Sequence, residues 1–449
     1  MTIASLLLVA MTAIMIFFLA INSFQAILLM LAVPELWSHW QLADDDYFHA
    51  LVGSQALPPI SVVATLLYAQ PDAVGFAQML LGLDYPRFEV ILVVDGAAGT
   101  TLSELEAAFS LYEVPPAFTI NLKTRPVQAY YRSRAHPRLL CIDKATAPVG
   151  DALNAGINAA RYPHAVATGP NVVFERDALL RLSRPFLLDR SVACVGGILR
   201  PANRAYMDNG KLVPGRIRGW TVGCQTIEYL RNFTFQRLGW NRVASNIVFP
   251  SNTMLFKREH VFGVGGFDPR DDTPGIDFAV RLHKYLTDIG INSTMPVIPD
   301  AVAWSVVPEN ISQVGSARQR WSRGLWRALA RNRVMFGNPE YGAFGTIAVP
   351  YCWAAIIVAP TLELAGYAGL AVGLATGVLD SSFAWAYLAS VVGYGILLSV
   401  WAVVFQAVSF QRPDQPDEIL RLLAYAVIES LGYRQIVALF RTTSFFADR

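Results

Sequence analysis

The chain has little charge and little cysteine. Of its 449 residues only 16% are Asp, Glu, Lys or Arg, while 54% are hydrophobic. An average soluble domain carries roughly 25% charge. Disordered chains need few large apolar residues and a high net charge, so this balance excludes disorder. It also argues against an ordinary cytosolic enzyme. The net charge is +2, too small for the broad basic field of a nucleic-acid binder, and no nucleic-acid partner is expected. The four cysteines, Cys141, Cys194, Cys224 and Cys352, contain no Cys-x-x-Cys pair. They imply neither a disulfide framework nor a zinc site and read as reduced structural thiols. Lys and Arg are absent before Arg87. The apolar start therefore lacks the positive n-region of a signal peptide and outruns its short h-region, so a retained anchor is expected.

What the chain has instead is long apolar segments. Residues 3–33 are almost continuously apolar, longer than the roughly 20 residues a membrane span needs. Apolar character returns at residues 344–375 and 383–408, joined by a short stretch without Lys or Arg. Arg318, Arg320, Arg323, Arg327, Arg331 and Arg333 precede the first of these runs, and Arg412 and Arg421 follow the second. The positive-inside rule puts such clusters on the cytoplasmic side. The first run admits an interfacial helix bent at Pro350 or Pro360 followed by a span. Residues 419–440 are apolar but interrupted by Glu429, Arg434 and Gln435. Charges are costly in mid-membrane, so an interfacial or re-entrant helix is preferred there to a full span. Three regions result: an anchor and linker at 1–48, a soluble α/β domain at 49–335, and a C-terminal membrane region at 336–449.

Within the α/β domain, residues 60–67 form a buried-strand pattern, a helical stretch follows, and residues 89–96 form a second apolar strand closed by Asp95-Gly96. A helical pattern returns at 101–110. Strand, helix, strand, helix implies a parallel sheet with right-handed crossovers. Ligands bind such sheets beyond the carboxyl ends of the strands, so Asp95 is either a ligand-contacting acid or a turn or helix-cap residue.

The motifs are Leu83-Asp84-Tyr85-Pro86-Arg87-Phe88-Glu89-Val90, then Asp95, Ala152-Leu153-Asn154-Ala155-Gly156 and Glu175-Arg176-Asp177-Ala178-Leu179. After them come Gln225-Thr226-Ile227-Glu228-Tyr229-Leu230-Arg231, Val264-Gly265-Gly266-Phe267-Asp268, Arg320-Trp321-Ser322-Arg323-Gly324, Pro360-Thr361-Leu362-Glu363 and Gly432-Tyr433-Arg434-Gln435. In this order and spacing they resemble family-2 glycosyltransferases, and most of all the membrane-embedded cellulose, hyaluronan and poly-N-acetylglucosamine synthases. The resemblance implies a GT-A-type (Rossmann-like), mostly parallel α/β sheet domain between N- and C-terminal transmembrane helices. It also implies inverting transfer from a nucleotide-diphosphate donor, most simply a uridine-diphosphate sugar.

Position by position, the resemblance makes Asp95 a nucleotide-contacting acid, Asp277 the base on the acceptor hydroxyl, Arg320 a diphosphate contact and Trp321 the acceptor platform, with Gln319 beside it. A sugar's apolar C–H face suits the indole. Asp277 is equally suited to be a helix N-terminal acid, and the arginines to be a positive-inside cluster. The expected metal-binding Asp-x-Asp is replaced by Gly169-Pro170-Asn171, read as a turn. Asn171 offers one neutral oxygen toward the nucleotide. A divalent cation, Mg2+ or Mn2+, is implied by the resemblance, but both carboxylates that would hold it are missing, and no metal ligand is assigned. Val149 replaces a lysine, Tyr68-Ala69 an Asn-Glu pair, and Ile276 the glutamate beside Asp277. Asp271 and Asp272 read as solvated loop acids rather than replacement ligands.

Two readings follow. One is an active transferase at a bacterial-type inner membrane, multi-pass, with its catalytic-type domain cytoplasmic. It would add sugar to a lipid-linked or polysaccharide acceptor, with Arg318 and Arg320 neutralising the diphosphate. The other is a catalytically inactive partner of other polysaccharide-synthesis subunits, since the losses gather in site motifs.

Overall fold

The computed structural model describes residues 2–42, 56–67, 72–95, 100–145, 147–203, 206–208, 211–213, 215–243, 246–247, 251–271, 273–409 and 416–445. Tyr68-Ala69, Gly96, Asp272 and Arg412 lie outside the described residues.

The strands are β1 (Ile60–Leu66), β2 (Phe88–Asp95), β3 (Leu111–Glu113), β4 (Val127–Ser133), β5 (Leu139–Lys144), β6 (His164–Thr168), β7 (Val172–Phe174), β8 (Cys194–Pro201), β9 (Tyr206–Asp208), β10 (Lys211–Val213), β11 (Met254–Lys257) and β12 (Val297–Ser305). Ten of them form one sheet in the order β3-β4-β5-β2-β1-β6-β11-β8-β12-β7, and β9 pairs with β10 alone. The run β5-β2-β1-β6 is parallel, as the alternation of strand and helix required. Antiparallel β11 then joins it to a second parallel pair, β8 and β12.

Side chains of the parallel strands alternate between two cores. Val62, Ala64 and Leu66 of β1 join Val90, Leu92 and Val94 of β2 on one face, and Val63 joins Ile91 and Val93 on the other. Both faces are covered, so these strands read as unbroken apolar runs. The first face carries α2 (Ala73–Leu81), α3 (Thr101–Phe109) and α5 (Ala178–Leu188). The second carries α4 (Val149–Ala159), α8 (Arg258–Val264) and α9 (Pro274–Asp288).

Two of the resembling motifs are halves of one joint. Asn154 of α4 grips the Phe267 backbone from both sides: Nδ2 donates to its carbonyl at 2.9 Å and Oδ1 accepts from its N–H at 2.8 Å. Gly266 sits at φ +85° against that amide, where a Cβ would come within 2.6 Å of Asn154 Oδ1. Gly156, two residues on, lets α4 press onto the sheet at Val63.

Outside the sheet, α1 (Ile3–Leu42) crosses a helical stretch made of α6 (Trp220–Glu228), a π-helical turn at Tyr229–Phe235, and α7 (Gln236–Val243). Gly239 is the closest approach: a Cβ there would lie 2.1 Å from the Leu28 carbonyl oxygen. Then come α10 (Ile311–Arg331) and three long helices, α11 (Phe344–Ala375), α12 (Ser381–Val408) and α13 (Asp417–Thr443). The four helices Ile3–Trp37, α11, α12 and α13 are each long and apolar enough to cross a membrane. Within α11, π-helical stretches at Phe344–Ala348 and Trp353–Val358 directly precede the segments that hold Pro350 and Pro360. A wider turn accommodates the missing N–H without ending the helix.

In α13 the charges that argued for an interfacial helix are all partnered within the protein. Glu429 pairs with Arg231 of the π-helical turn and Arg434 with Glu363 of α11, to which Gln435 also donates; Arg441, just beyond that stretch, pairs with Glu228 of α6. A charge paired by its own protein does not face lipid, which weakens the cost argument against a crossing.

Candidate active site

The carboxyl ends of β5, β2, β1 and β6 share one edge of the sheet. Asp95, the last residue of β2, stands opposite Lys144, the last residue of β5. Lys144 is fully buried, donates to the Arg125 carbonyl at 2.6 Å, and pairs with Asp151 at 2.8 Å. Asp151 lies in the first turn of α4 and accepts the Arg125 N–H at 2.9 Å. Val149, where the resemblance expected a lysine, opens that helix. The edge thus has a lysine five residues earlier, but one already committed to a carboxylate.

After β6 the chain turns at Gly169-Pro170-Asn171 and enters β7, with the Val172 N–H bonded to the Gly169 carbonyl. Asn171 is exposed, so this segment is the turn its Gly-Pro sequence suggested.

The loop before α9 rests on the N-terminus of α4. The Gly150 N–H donates to the Asp271 carbonyl at 3.1 Å, and a Cβ on Gly150 would meet the Asp268 carbonyl oxygen at 2.0 Å. Asp271 Oδ1 accepts from the Thr273 N–H and hydroxyl, a turn-forming role. Burial pushes the Asp268 carboxyl up, and hydrogen bonds from Arg270 and Arg331 more than offset it, so its pKa lies below the ordinary value.

Asp277 follows in the first turn of α9, 2% exposed. Arg281, one turn later, donates to Oδ2 at 2.6 Å. Oδ1 is buried without a hydrogen-bond partner, and Arg331 Nη1 stands 4.0 Å from it. Arg281 also donates to the carbonyls of Val264 and Gly266, so the carboxylate is fixed in orientation with one oxygen held and the other without a hydrogen-bond partner. Ile276 has turned the other way, into an apolar cluster with Leu325, Leu329 and Phe344 on which Trp321 packs. That is why the position tolerates an apolar residue. Sequence reasoning missed Arg281 and Arg331; the i,i+4 spacing to Asp277 was the available signal for the first.

On α10, Trp321 is half-buried and its ring lies under the Arg441 guanidinium, 5.5 Å from the centroid. Gln319 donates to Thr443 Oγ1 at 3.2 Å, which ties it to α13 rather than to a ligand. Arg320 is exposed. Arg318 is buried and pairs with Glu228 at 2.5 Å. Of the two arginines expected to meet a diphosphate, this one is engaged elsewhere.

Trp321 also lines a cavity between α1, the α6–α7 stretch, α11 and α13. Asn22, Glu228, Arg231, Glu363, Arg434 and Arg441 are among its walls.

The expected resemblance is borne out by known proteins. Poly-β-1,6-N-acetyl-D-glucosamine synthase of Staphylococcus epidermidis is 25% identical over 258 residues, covering 56% of this chain and 51% of that protein. The synthase of Staphylococcus aureus strain COL is 24% identical over the same extent. The chain is similar to the family-2 glycosyltransferases. It spans about half the length of the curated relatives it matches, and no protein-family model matches it. A mannosyltransferase from Pyrobaculum calidifontis, solved in complex with GDP-Man and Mn2+, superposes with a TM-score of 0.51 at 16% identity, over 90% of this chain and 99% of that one. At that identity the likeness speaks for the fold, which is the GT-A glycosyltransferase fold.

A divalent cation does not fit the glycosyltransferase edge of this chain. The turn where the resemblance would put two carboxylates offers one exposed neutral amide, whereas a cation in such a nucleotide site is held by one or two carboxylates beside the phosphates. Among the described residues no three His, Cys, Asp or Glu side chains group as a metal site. The four cysteines are buried and unpaired. Burial raises the Cys141 thiol to about 12, which suits packing and not chemistry.

Proposed function

We propose that this protein is a membrane-bound, inverting glycosyltransferase-type protein that takes a sugar from a nucleotide-diphosphate donor, most simply a uridine-diphosphate sugar. The donor lies over the edge bearing Asp95 and Asn171, and the acceptor, lipid-linked or polysaccharide, reaches the donor from the cavity behind Trp321. One observation carries the reading: the open Oδ1 of Asp277. A general base needs a carboxylate oxygen free to accept the acceptor's hydroxyl proton and held in a fixed direction. Arg281 supplies the fixing and leaves that oxygen unoccupied. As the acceptor oxygen attacks the anomeric carbon, its proton passes to Asp277 and the sugar–phosphate bond breaks toward the diphosphate. With no carboxylate pair for a metal, the leaving charge falls to arginines, for which Arg320 and Arg331 are the candidates.

The four long apolar helices and the arginines ahead of α11 support a multi-pass protein of a bacterial-type inner membrane with the sheet domain cytoplasmic. A second reading, a catalytically inactive subunit of a polysaccharide-synthesis complex, is favoured by the Gly169-Pro170-Asn171 turn and by the commitment of Arg318 to Glu228.

The purified full chain, assayed with a panel of uridine-diphosphate sugars with and without Mg2+ or Mn2+, separates the two. Turnover abolished by Asp277→Asn supports the enzyme. Absence of nucleotide binding at millimolar donor by calorimetry leaves only the inactive subunit.

A further inference from the structure

The cavity behind Trp321 carries more positive than negative charge, and its excess has no partner in the protein. Arg231, Arg237, Arg434 and Arg441 line it against Glu228, Glu363 and Glu429. Each glutamate is already taken. Glu429 holds Arg231, Glu363 holds Arg434, and Glu228 is shared by Arg441 and Arg318. That leaves Arg237. The residue is 5% exposed and, among the described residues, its side chain makes neither a hydrogen bond nor an ion pair; it lies over the face of Phe233, 4.6 Å away, and near the neutral phenol of Tyr229. Burial pushes this guanidinium down to about 9, the response of a cation without a counter-charge. Next to it, Gln236 Nε2 is buried and also lacks an acceptor. A guanidinium without a counter-charge and a buried amide without an acceptor, both on the wall of a cavity that already leans positive, are costly unless something anionic occupies it.

The rest of the lining says what kind of anion. Phe18 and Ile21 of α1, Ile356 and Ala359 of α11, and Val437 and Ala438 of α13 form apolar walls, contributed by three of the helices long enough to cross a membrane. A free inorganic ion would leave those walls wet. We infer that the cavity binds the phosphate group of a lipid, with the phosphate on Arg237 and Gln236 and the hydrocarbon tail along α1, α11 and α13. The inference rests on the reading of this cavity as the acceptor's seat. It narrows that acceptor to the lipid-linked class: a neutral glycan would leave Arg237 uncompensated.

The test needs no sugar donor, so its failure is distinguishable from failure of the transferase reading. Binding of a polyprenyl phosphate, the matching neutral polyprenol, phosphatidylglycerol and inorganic phosphate to the detergent-purified full chain is measured by native mass spectrometry, with quenching of Trp240 and Trp321 fluorescence as a second readout. Polyprenyl phosphate is expected to bind well above polyprenol. Arg237→Gln should weaken it roughly 10- to 100-fold, the loss of a charge-assisted hydrogen bond. Gln236→Glu, which adds a negative charge to the same cavity wall and relieves the excess, should weaken it while preserving the fold. Phosphatidylglycerol binding with the same sensitivity to Arg237→Gln would identify the bilayer as the source of the phosphate and still support the site. Equal binding of alcohol and phosphate overturns the inference, as does binding of inorganic phosphate alone, or lipid binding indifferent to both substitutions. Sugar transfer to a neutral glycan without any lipid-phosphate binding would refute it and leave the transferase reading standing.

Discussion

The Arg231–Glu429 pair ties the stretch between α6 and α7 to α13, and breaking it tests whether α13 is docked as the structure has it. The pair is bidentate, at 2.9 and 3.1 Å, and its side chains are 7% and 2% exposed. Ser399 donates to Glu429 at 3.2 Å and accepts from Arg231 at 2.5 Å, and Ser430 adds a further bond to Glu429. Glu429→Ala removes the counter-charge and leaves Arg231 with Ser399 and Asn232 alone. A buried ion stripped of its partner costs about 3–5 kcal/mol. Replacing both members by apolar residues of similar size, Arg231→Met with Glu429→Leu, removes both desolvation costs together and should bring stability back near the wild-type value. The single variants Arg231→Met and Glu429→Leu should therefore be far from additive, with a coupling of about 3 kcal/mol or more. Equilibrium unfolding of the detergent-purified chain, followed by tryptophan fluorescence, gives all four corners of the cycle. A Glu429→Ala variant within about 0.5 kcal/mol of wild type would refute the docking. So would a double variant as unstable as the sum of the singles.

Three further outcomes follow from the packing. Gly239→Leu should prevent proper folding, because even a Cβ would approach the Leu28 carbonyl oxygen to 2.1 Å and both partners are backbone; recovery of normally folded, monodisperse protein in detergent would contradict the helix crossing. Asn154→Ala strands the buried N–H and C=O of Phe267, at about 1–3 kcal/mol for each unsatisfied group, and should lower the unfolding midpoint while loosening the loop that presents Asp277; Asn154→Asp, which keeps one of the two bonds only in its protonated form, should be no better at neutral pH. His283 is buried against Phe344, both ring nitrogens lack a partner, and burial lowers its pKa to about 4. The neutral ring is the folded form, so its contribution is complete above the free value of about 6.5 and is lost as pH falls toward 4, a term of up to about 3 kcal/mol; His283→Leu should flatten that part of the stability profile, and an unchanged profile would refute the assignment.

The parallel half of the sheet was legible because both of its faces are buried. Residues 60–67 and 89–96 had no polar face to confuse the pattern, and the structure trims them only to Ile60–Leu66 and Phe88–Asp95. The order β11-β8-β12-β7 was not legible. These strands are antiparallel or separated by long insertions, and nothing local in Met254–Lys257 says that it will pair between β6 and β8. Residues 419–440 resisted for a different reason. A sequence shows the charge of Glu429 and Arg434 but not their partners, which lie 198 and 71 residues away in the chain. The same holds at the site: Asp277 could be nominated from a motif, whereas the open Oδ1, and the approach of Arg331 to it, exist only after α9 and α10 have packed.

The replaced positions have acquired structural work, and this bears on whether the site is decaying or rebuilt. Val149 packs on the second core, Ile276 joins the apolar cluster under Trp321, and Gly169-Pro170 makes a tight turn. At these positions the charge expected from the resemblance has given way to a residue that suits its new neighbours. A site relaxing without constraint would also be free to lose Asp277, yet that carboxylate persists, fully enclosed, with Arg281 on one oxygen. Burying a carboxylate is expensive and an apolar residue there would be cheaper for stability alone. A purely structural role predicts that Asp277→Asn and Asp277→Leu, the latter paired with Arg281→Met, leave nucleotide and acceptor binding unchanged. A site that retains its base predicts that the Asn variant binds donor normally and fails only in transfer. Calorimetry on the variants beside a turnover assay separates these outcomes, and the split between binding and turnover decides whether the buried carboxylate is a base or a strut.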